Sequence, residues 1–175
     1  MIHFRKMNIP VLAAFAVTLA ACGAEAPVAK DNAPPATFPA GEWEVSTLTE
    51  TLKGADRDAP ATIHKAGATS VAKVCAAPGP KPDPALFVEA GDKCTADAAY
   101  ARNGRVNLAY KCDRPGKGMV MPTIDGKYDA TTFEVATAVG SYFTGLGDYV
   151  MTQRIKGKRL GDCAPVAGAA TPPAG

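Results

Sequence analysis

The sequence predicts a mainly β domain: a single antiparallel meander, its sheet curved toward a partial barrel, with one short helix near 84–90 and two disulfides. Three observations carry this. The run Trp43-Glu44-Val45-Ser46-Thr47-Leu48-Thr49 alternates, and its threonines favour a strand. Turn signals recur at Asn103-Gly104, Asp125-Gly126 and Gly145–Gly147, with strand-like runs between them. Four cysteines, Cys75, Cys94, Cys112 and Cys163, fall inside this patterned region without any C-x-x-C spacing. A chain of 175 residues fits one domain and leaves little room for a two-domain enzyme. Aromatic residues are only 7%, so the core is modest.

Taken in order, the first strand covers Trp43 to Thr49, and a second lies near Thr62–Ala66 or Ser70–Cys75. The helix is marked by Asp83 as its cap, Pro84 in the first turn and Gly91 at the end. Leu86, Phe87 and Ala90 form its buried side. Cys94 to Cys112 then folds back on itself about Asn103-Gly104. A two-residue turn sets Arg102 opposite Arg105, which puts Cys94 opposite Asp113 and Cys112 opposite Thr95 and sends the two cysteines to opposite faces. A three-residue loop, Arg102-Asn103-Gly104, places Gly104 at the left-handed bulge position. Ala101 then pairs with Arg105, and Cys94 falls opposite Cys112. The same register gathers Ala96, Ala98, Tyr100, Val106, Leu108 and Tyr110 on the cysteine face. It therefore predicts a Cys94–Cys112 bridge, and Cys75–Cys163 by elimination.

The start of the chain is an export address. Arg5 and Lys6 precede an uncharged run, Ile9–Ala21, whose 13 residues fall short of the ~20 a membrane-crossing helix needs. Leu19-Ala20-Ala21-Cys22 resembles the lipobox of bacterial lipoproteins. That resemblance implies cleavage before Cys22 and acylation of the cysteine with fatty chains such as palmitate. Gly23 rather than Asp follows it, which implies the outer membrane, facing the periplasm. In an oxidising compartment disulfides are expected. Residues 22–37 read as an Ala/Pro tether, 38–163 as the β domain and 164–175 as a disordered tail. The chain has 19 basic and 17 acidic residues, and the excess of two is Arg5 and Lys6 of the leader. A balanced remainder gives no electrostatic case for nucleic acid.

Within the body, Gly41-Glu42-Trp43-Glu44, Val74-Cys75, Cys94, Lys111-Cys112, Asp125-Gly126-Lys127-Tyr128 and Met151-Thr152 through Gly157-Lys158-Arg159-Leu160-Gly161-Asp162-Cys163 form an ordered set. The set resembles the domain of unknown function 3617 family of Gram-negative exported proteins and lipoproteins, over about 38–163. The methionine-rich strands common in that family are thinner here. The resemblance implies an envelope location and a β-rich, disulfide-bonded fold, and it supplies no activity.

Catalytic patterns are sparse. A Ser-His-Asp or Cys-His site needs a base, and His64 is the only histidine after the leader. Its Thr-Ile-His-Lys context reads as an exposed strand or loop position. The run Gly140–Gly147 lacks the Gly-Lys-Ser/Thr end of a phosphate loop and reads as a turn. Met119 and Met121, with Met151, offer soft sulfur for Cu(I), but core filling is the favoured reading. Arg154, Lys156, Lys158 and Arg159 form a basic stretch that Glu42, Glu44 and Glu50 neutralise if the first and last strands are neighbours. Catalytic, cofactor and metal residues are therefore expected to be none. The expectation is an envelope lipoprotein with a non-catalytic binding or interaction module. Its partners are the membrane, through the anchor, and an unidentified envelope protein. A second reading is a carrier of a small apolar ligand inside the curved sheet; an enzyme is the third. Trp43, Phe87, Tyr100, Tyr110, Tyr128, Phe133 and Tyr149 either fill that interior or line it.

Overall fold

The computed structural model describes residues 34–164. The leader, Cys22, the start of the tether and the tail beyond Ala164 lie outside the described residues. Seven strands form one open antiparallel sheet: β1 (Gly41–Gly54), β2 (Thr69–Ala76), β3 (Lys93–Arg102), β4 (Arg105–Arg114), β5 (Gly118–Tyr128), β6 (Thr132–Phe143) and β7 (Tyr149–Gly161). Their order is β2-β1-β7-β6-β5-β4-β3. β3 to β7 is the expected meander, and its last strand returns to lie beside β1. β2 and β3 stand at the two edges, so the chain must pass from one edge to the other between them. It does so through residues 77–92.

Alternation decides which face is buried. On β4, Val106, Leu108, Tyr110 and Cys112 point inward while Arg105, Asn107, Lys111 and Asp113 point out. β6 buries Phe133, Val135, Thr137, Val139 and Ser141 in the same way, and β7 buries Tyr149, Met151, Gln153 and Ile155. Gly157 continues the inward series of β7 because the Phe133 ring occupies the place a side chain would take. Phe38, just before β1, joins Trp43, Phe87, Tyr128 and Phe133 in an aromatic cluster with ring centroids 5.0–6.0 Å apart. The Tyr128 hydroxyl donates to the Pro35 carbonyl at 3.2 Å, which ties the segment before β1 to the sheet.

The expected helix near 84–90 is a single 3₁₀ turn, Pro84–Leu86. Asp83 caps it as expected, accepting from Ala85 N at 2.9 Å, but it also accepts from Ala77 N at 3.0 Å. The turn closes at Phe87, whose N–H donates to Pro84 O. Three residues suffice because this segment must span the sheet while dropping Leu86 and Phe87 into the core. The second strand takes the later of its two candidate positions, and Thr62–Ala66 is loop.

Asp125-Gly126 is not a turn. It lies inside β5, with Gly126 paired to Val106 on one side and Val135 on the other. Asp125 instead accepts from Asn107 across the strands at 3.1 Å. The β5–β6 turn is made by Asp129, whose carboxylate accepts from the backbone and hydroxyl groups of Thr131 and Thr132.

Both predicted bridges form: Cys75–Cys163 and Cys94–Cys112. The register that aligns the second is reached differently from the expectation. Asn103 and Gly104 form a two-residue turn with φ of 51° and 76°, and Arg102 does pair with Arg105. The extra residue sits further along, in a bulge at Asp97 between Ala96 and Ala98. Both arrangements bring Cys94 opposite Cys112. The bulge reverses the faces of residues 98–101, so Tyr100 shares the outer face with Asn107 and is 50% exposed rather than inward.

Candidate functional site

A cleft of about 600 Å³ lies between the inner face at the β2–β1–β7 side and the crossing segment 83–92. Its floor carries Val45, Thr47, Ser70, Ala72, Gln153 and Ile155. The reason for the opening is side-chain size. The inward positions of β2 opposite Thr47 and Val45 are Ser70 and Ala72, where β4 to β7 carry Leu, Ile, Val and aromatic residues. The roof, descending from the 3₁₀ turn, cannot fill the space that remains, and Ala72 stays exposed. The volume falls in the ~300–1,000 Å³ range usual for small-molecule sites.

One end of the cleft is polar. Arg114, at the end of β4, is buried and forks onto Asp92 with two hydrogen bonds of 2.7 Å. It also donates to Ala61 O at 2.9 Å and Tyr149 Oη at 3.2 Å, and stands 3.1 Å from Glu89 Oε2. The same Glu89 oxygen accepts from the Thr62 hydroxyl at 2.6 Å. A single guanidinium thus ties together the 61–64 loop, the roof and two strands. The hydrogen bonds to Asp92 hold Arg114 firmly protonated, above its ordinary range. Burial raises the Tyr149 phenol.

His64 is half-buried at the cleft wall, not exposed as its sequence context suggested. Its Nε2 is 3.9 Å from Glu89 Oε2, beyond hydrogen-bond reach. Burial lowers its pKa, against the pull of Glu89. Among the described residues no hydroxyl or thiol is hydrogen-bonded to its ring, so the pair lacks the nucleophile–base contact of a hydrolase.

The other candidates are dispersed. Met119 and Met121 point outward from β5 while Met151 is buried on the inner face, so the three sulfurs do not converge. Among the described residues no group of three or more His, Cys, Asp or Glu side chains is placed to hold a metal ion. Glu50 pairs with Arg154 at 3.1 Å across β1 and β7, and Glu44 lies in register with Lys158. Glu134 of β6, which the sequence reading did not include, meets Lys156 at 3.3 Å and Arg154 at 3.8 Å. Arg159 turns back to Ala40 O and Asp162. Of the seven aromatics, six are buried and fill the interior; Tyr100 is not. The sequence reading missed Arg114, Glu89, Asp92 and Gln153. One signal was available: Val106, Leu108, Tyr110, Cys112, Arg114 is an unbroken inward series at period two.

Fold and site together define an open, disulfide-clamped antiparallel sheet with a cleft at one edge. Residues 38–163 match the family described as "Protein of unknown function (DUF3617)", and the chain belongs to that family. No curated protein and no solved structure matches it.

Proposed function

We propose that the protein is an envelope lipoprotein, anchored through Cys22 in the outer membrane and facing the periplasm. Its β domain is a non-catalytic binding module that holds a small apolar ligand. The cleft at the β1–β2 edge is the observation that carries this reading. It replaces the hollow-barrel version of a carrier, because buried aliphatic and aromatic side chains fill the inner face away from that edge.

The test uses the Cys22→Ala protein, exported and purified gently from the periplasm. Release from the membrane fraction supports the anchor; persistence in it of a chain whose leader has been removed refutes the anchor. Native mass spectrometry then reads the ligand. A retained mass lost on mild activation supports the binding module, and a bare mass counts against it. A second reading is an envelope protein as partner. It is favoured by Met119, Tyr142 and Val150, which are 39%, 62% and 53% exposed on neighbouring outer-face positions of β5, β6 and β7. Crosslinking in the intact envelope through Tyr142 distinguishes it.

A further inference from the structure

The polar lining of the cleft carries information about the ligand's polar end. Three carboxylates border it: Asp83, Glu89 and Asp92. Arg114 lies behind two of them and neutralises one unit of charge. Lys73 borders the cleft at the β2 edge, but its strand position is on the outer face, in register with Glu44. Burial disfavours the charged form of His64, against the pull of Glu89. The lining is therefore net negative.

Its neutral polar groups are the Thr47 and Ser70 hydroxyls and the Gln153 amide. Gln153 is only 3% exposed, yet its two hydrogen bonds, to Thr49 and from Thr137, are both 3.4 Å long. A carboxamide has two donors and two acceptor sites, so half of this buried group's capacity is unspent at the cleft floor.

We propose that the cleft takes single-chain amphiphiles whose polar end is uncharged or cationic, and excludes those ending in a carboxylate. The apolar floor, Val45, Ala72 and Ile155, covers the chain, and the Glu89 end meets the head. This rests on the cleft being a ligand site.

Three probes of matched chain test it at neutral pH, each below its aggregation threshold: monolaurin, laurylamine and laurate. The protein is the Cys22→Ala chain, stripped of any bound mass, and the readout is titration calorimetry. Monolaurin and laurylamine are expected to bind, with laurate weaker by about tenfold, as one like charge several ångström away dictates. Laurate binding as well or better overturns the head-group inference and leaves the cleft reading standing. No binding by any probe overturns both. Ala72→Phe fills the floor from an exposed edge-strand position that suits an aromatic residue. Binding should disappear with the circular dichroism spectrum unchanged; retained binding locates the probes elsewhere and overturns the proposal.

Discussion

The two halves of the sheet obey the same period-two pattern and end in opposite states. From β4 to β6 most inward residues are large, and the face closes with Val106, Leu108, Ile124 and Val135 almost fully buried. At β2 the inward residues shrink to Ser70 and Ala72, and a cleft opens over an otherwise regular strand pair. Alternation therefore tells which residues face inward, while side-chain volume tells whether inward means filled. The halves also differ in how their edges are held. Cys94–Cys112 closes 18 residues within one hairpin, whereas Cys75–Cys163 spans 88 and clamps β1 between its neighbours.

That contrast gives the largest expected effect. Replacing Cys75 and Cys163 by serine should cost about 4.5 kcal/mol on the chain-entropy account, against about 3 kcal/mol for Cys94 and Cys112. Urea unfolding of the two double variants measures the gap, and equal losses would mean that loop length does not govern this fold. Next comes the ion cluster. Arg114→Ala strands Asp92 and Glu89 at a buried site and should lose roughly 3–5 kcal/mol by the same measurement. A loss below about 1 kcal/mol would show that Arg114 does not hold the roof.

The direct comparison of the halves follows. Leu108→Ala leaves a cavity in the packed half and should cost roughly 2–5 kcal/mol. Ala72→Leu enters open space and should change stability by less than about 0.5 kcal/mol. Similar costs at both positions would erase the distinction between them. A small, pH-dependent effect is expected at the β5–β6 turn. Hydrogen bonds, first from the Thr132 hydroxyl and then the Thr131 backbone, lower the Asp129 carboxyl from 3.8 to about 2. A depressed acid stabilises the fold above its unfolded pKa, and the contribution fades as pH falls from 3.8 to about 2. Asp129→Ala should flatten the stability profile in that window by less than about 1 kcal/mol, because the turn is solvated. An unchanged acid limb would remove the carboxylate from the turn's energetics.

Much of the hairpin was legible because cysteine pairing and apolar alternation constrain the same count. One extra residue was needed on the β3 side, and the sequence required it. Its location was not readable: Asn103-Gly104 accommodates the two-residue turn, and the count was restored at Asp97 instead. Tyr100 changed face as a result. Asp125-Gly126 misled for a related reason. A strong local turn signal was overridden by strand neighbours on both sides, and Asp129 had four hydrogen-bond donors within three residues to make the turn in its place.

The charges of the first and last strands were matched only on the condition that the two strands are neighbours, and Cys75–Cys163, 88 residues apart, followed by elimination. The sequence alone determined the β class, the Cys94–Cys112 pairing and the cap at Asp83. These depend on residues close in the chain or on patterns of period two, where geometry is set locally. Only the tertiary structure decided that His64 lies beside Glu89, that Arg114 lies beneath the roof, and that small residues on an edge strand face a gap. Those contacts join segments as far apart as Ala61 and Arg114 or Arg114 and Tyr149. Their placement follows from the path of the crossing segment over the sheet, which no local propensity specifies.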